Sequence, residues 1–281
     1  MYSLLINCNK RKSFKIYHLL CSPDFDRISI SMYKILFKHF SHNVEMIFYN
    51  MGNHFIKHKN TGWSHSSFYR MLTPFLINAE RLIHLDGDTL IFQDLYKMYN
   101  LNFNDNYIFG LYEINSNGLD YLGLNSSIYI NASVALLNLK KMIQGKKIFK
   151  LIDMCNSDIK LTQVDQTAIN YVLYPNIGRL QSKYSIYNLE DKNDLNVYNN
   201  LLRTKIPMDE LENALINPTI VHFILCRPKP WFRNSSYNKD LTYCSKRKNC
   251  SCEKYYHLWH NIAKKMDNYD EIINSIGINN D

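Results

Sequence analysis

Two carboxylates, Asp86 and Asp88, stand one residue apart in "LIHLDGDTLI", directly behind an apolar run. The run 82–85, set between Arg81 and Gly87, suits a short interior strand that ends in a turn, so both acids would emerge together at the strand's C-terminal edge. Acids placed there repel each other, and burial adds to the cost of keeping both ionised. A divalent cation removes the conflict. Carboxylate oxygens without thiols nearby suit Mg²⁺ or Mn²⁺, which often share their coordination with a substrate's phosphates. The competing reading is a polar turn in which one Asp caps the next element. His222, in "TIVHFI", would join the acids if its strand ran parallel to theirs; taken alone it reads as a core histidine.

The elements that would position these groups alternate along the chain. Strands are expected at 14–20 ("FKIYHLL"), 44–50 ("VEMIFYN"), 107–113, 128–139 and 219–224. Helices are expected at 29–40, at 64–77 with a break at Pro74, after the strand ending at 139, at 164–174 and in the closing tail. The stretch 188–217 is polar and gives no clear pattern. Alternation of this kind implies an α/β fold with a mainly parallel sheet covered by helices on both faces. Ligands of such sheets bind beyond the carboxyl ends of the strands, where Asp86 and Asp88 would lie.

With 281 residues, 46% of them hydrophobic, the chain can bury a sizeable core. No apolar stretch reaches the roughly 18 residues of a membrane span, and "MYSLLINCNKRKSF" lacks the layout of a secretory signal. The net charge of +8 favours phosphorylated small molecules, anionic membrane surfaces or polyanions. The lysines are dispersed and do not form a basic stripe interleaved with aromatics, which argues against nucleic acid. Seven cysteines, an odd and scattered set, fit reduced thiols in a cytoplasmic setting. Cys244, Cys250 and Cys252 lack the paired C-x2-C spacing of a structural zinc site.

Four ordered blocks then resemble glycosyltransferase family 8, the retaining nucleotide-sugar transferases. They are "FYRMLTPFLINAERLIHLDGDTLIFQDLYKMY", "YLGLNSSIYINASVALLNLKKM", "VDQTAINYVLY" and "IVHFILCRPKPW". The resemblance implies a GT-A fold, Rossmann-like with a mixed, mainly parallel sheet, over residues 1–235, followed by a helical extension over 236–281. It implies a retaining hexosyltransferase that moves glucose or galactose from a UDP-sugar to a glycan, lipid-linked saccharide or protein hydroxyl, as in lipopolysaccharide biosynthesis. Asp86, Asp88 and His222 match the ligands of Mn²⁺, with Mg²⁺ as the alternative ion, and Gly87 completes the D-x-D. Lys229 matches a lysine on the diphosphate, Arg70 a donor-contacting arginine, and Asn131 and Asp165 groups that face the donor sugar. Gln166 matches the residue beneath the anomeric carbon; an amide is a poor nucleophile, which points to attack on the front face with Gln166 as positioner. The basic C-terminal region would touch an anionic membrane face.

The chain departs from the family pattern in three places. "MYSLLINCNK" matches the end of the family's first helix, so the strand expected before it, which supplies the nucleobase pocket, has no counterpart. Leu225 and Cys226 replace a glycine-containing H-x-x-G-x-x-K-P-W spacing, with Arg227 as a compensating phosphate ligand, and Ser133 stands where the family usually has Gly. These departures keep a second expectation open, a catalytically impaired sugar-nucleotide-binding protein or a truncated fragment. A phosphatase reading of "LDGDTL" has its register off by one residue.

Overall fold

The computed structural model describes residues 1–9, 12–20, 43–52, 54–55, 65–114, 119–186, 192–224, 252–267 and 269–270. Among these, eight strands occur: β1 (Phe14–Leu20), β2 (Val44–Asn50), β3 (Arg81–Leu85), β4 (Thr89–Ile91), β5 (Ile108–Tyr112), β6 (Ile130–Asn138), β7 (Ile177–Arg179) and β8 (Ile220–His222). The helix expected at 29–40 lies outside the described residues, as do Lys229, Arg227 and the Cys244–Cys250 segment.

The four-stranded sheet runs β3-β6-β5-β7. Strand β6 is its centre because its sequence, "INASVALLN", puts apolar or small residues on both faces, as a strand covered on both sides requires. Ile130, Val134, Leu136 and Leu137 are all buried, each worth about 1.5–3 kcal/mol of burial. Strands β3 and β5 flank β6 antiparallel, while β7 joins β5 in parallel. The sheet is therefore mixed, with a larger antiparallel share than strand–helix alternation implies, because β6 runs against both neighbours.

Strands β1 and β2 pair in parallel as a separate two-stranded sheet. Among the described residues, β1 is paired only with β2, and β3 only with β6.

Helices cover the sheet. In the helix Val164–Leu173, Val164, Ala168, Ile169 and Leu173 enter the largest core cluster with Ile130, Ala132 and Leu137. The expected single helix over 64–77 is instead a 3-10 helix, His65–Leu72, followed by a short α-helix, Thr73–Leu76. Pro74 explains the split, since it lacks an N–H and is tolerated only in the first turn of a new helix. The stretch without a sequence pattern folds as helices Lys192–Leu201 and Met208–Ile216, whose Leu195, Tyr198 and Leu211 build a second core cluster with Val221 and Phe223. Leu258, Trp259 and Ile262 of the C-terminal helix Cys252–Ala263 pack against that same cluster.

Candidate active site

The site assembles around residues 131–133 of β6. Between Gly110 and Leu111 the pairing of β5 jumps from Ala135 to Asn131, a bulge that removes residues 132–134 from the β5 ladder. A bulge leaves peptide groups to be satisfied elsewhere. Here functional residues take them, through side chains at Ala132 and the Asp86 backbone N–H at Ser133. The Ala132 N–H donates to Gln166 Oε1 at 3.1 Å, and the Ala132 carbonyl accepts from Arg70 Nη1. The Ser133 carbonyl accepts from the Asp86 N–H at 2.8 Å. Gly110 makes the approach possible: a Cβ there would lie 2.7 Å from the Asn131 carbonyl oxygen.

The D-Q-x-x-x-N helix is locked to the same strand. Asn170 accepts from the Ile130 N–H at 2.8 Å and donates to the Ile130 carbonyl at 2.9 Å, closing the ladder with a side chain. Val164, a buried β-branched residue, has φ +41°. Left-handed backbone is strained for such a residue. The conformation directly precedes Asp165, which is 3% exposed.

Arg70 ties the acids together. Its Nη2 lies 3.0 Å from Asp86 Oδ1 and its Nε 2.9 Å from Asp165 Oδ2. The Nε–H also donates to the Ser67 carbonyl at 3.2 Å. Burial opposes ionisation of Asp86, but Arg70, with help from His84 and His222, outweighs it and holds that carboxyl well below the ordinary range. Asp165 goes the other way: burial, reinforced by the Asp86 charge and opposed by Arg70, pushes it up to about 6.

Beyond the turn, Gly87 leaves open space, since a Cβ there would meet no atom within 4 Å. Asp88 precedes β4, which pairs antiparallel with β8 so that Thr89 faces His222. The sequence reading brought His222 to the acids through a parallel strand. It arrives instead because β8 ends where β4 begins. His222 Nε2 lies 3.1 Å from Asp88 Oδ1.

Asp86, Asp88 and His222 each offer one ligand atom, all within 4.8 Å of one another. Two carboxylates and one imidazole make a donor set that fits Mn²⁺ or Mg²⁺, with the nitrogen favouring Mn²⁺. On donor chemistry and spacing, the residues fit the ion that the motif implies.

Sequence reasoning left two neighbours aside. Glu113 Oε2 accepts from Asn131 Nδ2 at 2.6 Å, while Asn131 Oδ1 accepts from the Ser133 N–H at 2.9 Å, fixing that amide. His84 Nε2 lies 2.9 Å from Asp86 Oδ1. His84 reads as one more position of an apolar strand, although its polarity in "LIHL" was a signal. Glu113 carries no motif.

The family model described as Glycosyl transferase family 8 matches residues 1–235. The chain belongs to glycosyl transferase family 8. Glycosyltransferase GlyE of Streptococcus pneumoniae serotype 4 is 23% identical over 169 residues, covering 60% of this chain and 37% of GlyE. Among solved structures, the bifunctional glycosyltransferase WbbM in its apo form superposes with a TM-score of 0.67 at 18% identity, over 91% of this chain and 48% of that one. The galactosyltransferase LgtC, solved in complex with donor and acceptor sugar analogues, gives a TM-score of 0.56 at 15% identity, over 79% and 90%. The matches thus cover less than two thirds of the length of GlyE and of WbbM. These family 8 neighbours establish a GT-A, α/β fold. No helix among the described residues is long and apolar enough to cross a membrane.

Proposed function

We propose that the protein is a metal-dependent, retaining hexosyltransferase that moves glucose or galactose from a UDP-sugar to the hydroxyl of a glycan, lipid-linked saccharide or protein. The observation that carries this reading is the convergence of Asp86, Asp88 and His222 within 4.8 Å, joined to Asp165 through Arg70. The link through one guanidinium between a candidate ion site and a candidate sugar site supports this reading.

A divalent ion held by Asp86, Asp88 and His222 would offset the charge of the departing diphosphate. Lys229 would add a point charge to the same group. Asn131 and Asp165 would face the donor sugar, with Asp165 accepting from its hydroxyls. Gln166 spends its Oε1 on the Ala132 N–H, which suits a fixed positioner rather than a nucleophile. The acceptor oxygen then attacks the anomeric carbon from the face the phosphate leaves. The carbon–phosphate-oxygen bond breaks as the new glycosidic bond forms, and the acceptor's proton passes to the departing phosphate oxygen.

Calorimetric titration of UDP with and without Mn²⁺, on the protein and on Asp88→Ala, tests the site. Mn²⁺-dependent binding that the variant loses supports the reading, and donor hydrolysis with anomeric analysis of the product then tests turnover and retention. Binding without turnover supports the sugar-nucleotide-binding alternative, and a folded protein that binds neither UDP nor Mn²⁺ overturns both. Mass spectrometry that traps a sugar on Asp165 or Gln166 overturns the front-face route.

A further inference from the structure

We infer that His84 is a positioning residue for the metal ligand Asp86, donating a hydrogen bond that fixes which carboxylate oxygen is presented to the ion. This rests on the proposed ion site.

An ionised carboxylate only accepts hydrogen bonds, so the 2.9 Å contact between His84 Nε2 and Asp86 Oδ1 is an N–H donation by the imidazole. Arg70 Nη2 reaches the same oxygen at 3.0 Å. The two donors come from different elements, His84 from β3 and Arg70 from the 3-10 helix His65–Leu72. Convergence on Oδ1 stops the carboxylate turning about its Cβ–Cγ bond. Among the described residues no donor reaches Oδ2, which remains as the ligand oxygen.

His84 does not belong to the group of three whose ligand atoms gather within 4.8 Å. It acts one contact behind Asp86. Its side chain is 19% exposed, in a strand whose register sets Leu85 against Val134 and His84 against Ala135. Packing alone would be met by an apolar residue there, so the imidazole's use is the hydrogen bond. Outer groups of this kind commonly change metal affinity by about 10–100-fold when removed.

The test is Mn²⁺ affinity of the whole chain, read from the EPR signal of free Mn²⁺ with no nucleotide present, alongside thermal unfolding. His84→Leu is expected to weaken Mn²⁺ binding about tenfold with little change in unfolding midpoint. His84→Gln, whose amide nitrogen reaches the Nε2 position, is expected to restore most of the affinity. Should His84→Leu fail to fold, His84→Asn replaces it, because its shorter amide cannot reach Oδ1; it is expected to lose affinity where Gln keeps it. Wild-type affinity in the Leu or Asn variant overturns the inference and leaves the ion site standing. Equal loss in Gln and in the Leu or Asn variant also overturns it, since His84 would then bind the ion directly or act through packing. A wild-type protein that binds no Mn²⁺ overturns the inference together with the reading beneath it.

Discussion

Arg70 and Asp165 form an ion pair, 2.9 Å from Nε to Oδ2, with side chains only 7% and 4% exposed. The same guanidinium holds Asp86 and the Ala132 carbonyl, so one residue neutralises two acids and braces the bulge between them. Removing one partner of a buried pair strands the other charge. Arg70→Met is expected to destabilise the fold by about 3–5 kcal/mol. Adding Asp165→Asn should recover part of the loss, a coupling that urea unfolding of the single and double variants measures. Arg70→Lys, which cannot span both acids, should also abolish Mn²⁺-dependent UDP binding.

Stability should carry the mark of Asp165 under mild acid. Its folded value, about 6, lies above the ordinary 3.8, so between about pH 4 and pH 6 the native state holds a proton that the unfolded chain has released. Stability therefore falls as pH rises through that window and levels off above it, a change on the order of 2–3 kcal/mol. Asp86 has the opposite sign. Its depressed value contributes stability that is present above the ordinary carboxylate range and lost as pH falls through the folded value. In metal-free protein, Asp165→Asn should flatten the profile between pH 4 and 6 and leave the acid limb; an unchanged slope would mean that Asp165 titrates normally.

The strands 14–20 and 44–50 and the helix beginning at 164 were legible because their apolar periodicity is strong and tertiary packing agrees with it. The short strands Thr89–Ile91 and Ile177–Arg179 were not, since three residues carry no period. Helices Lys192–Leu201 and Met208–Ile216 hid behind polar composition: their few apolar positions meet only in the fold, against Val221 and Phe223. At the site, Asp86, Asp88, Asp165 and Gln166 could be named from motifs. That Arg70 binds acids, that Glu113 holds Asn131, and that His222 arrives on an antiparallel strand depend on contacts 16 to 134 residues apart in sequence, which local pattern does not encode.

Gln166 has a structural duty separable from its chemical one. Its Oε1 accepts the Ala132 N–H, and leaving that buried donor without a partner costs about 1–3 kcal/mol. Gln166→Ala should therefore lower the unfolding midpoint as well as donor turnover. Gln166→Glu keeps an acceptor at the same reach and should lie closer to the wild-type midpoint, while a new negative charge near Asp165 and Asp86 lowers turnover. Equal midpoints for the Ala variant and the wild type would remove the structural half of this account.

Gly110 offers a test of the bulge at a residue that is itself neither a proposed ion ligand nor a proposed donor contact. A Cβ at this position would lie 2.7 Å from both the Asn131 carbonyl oxygen and Ile130 Cδ1, closer than backbone and side chain can come without shifting. Gly110→Ala should destabilise the protein by about 1–3 kcal/mol, as overpacking in a filled core does. The displacement must fall on Asn131 and so on residues 132 and 133, which Gln166, Arg70 and Asp86 grip. UDP-sugar turnover should therefore drop by more than the stability loss explains, measured well below the variant's unfolding midpoint, while Mn²⁺ affinity falls less. The ion ligands Asp88 and His222 belong to the separate β4–β8 ladder and do not share the strain. Equal losses in turnover and Mn²⁺ affinity would mean that the two parts of the site move as one.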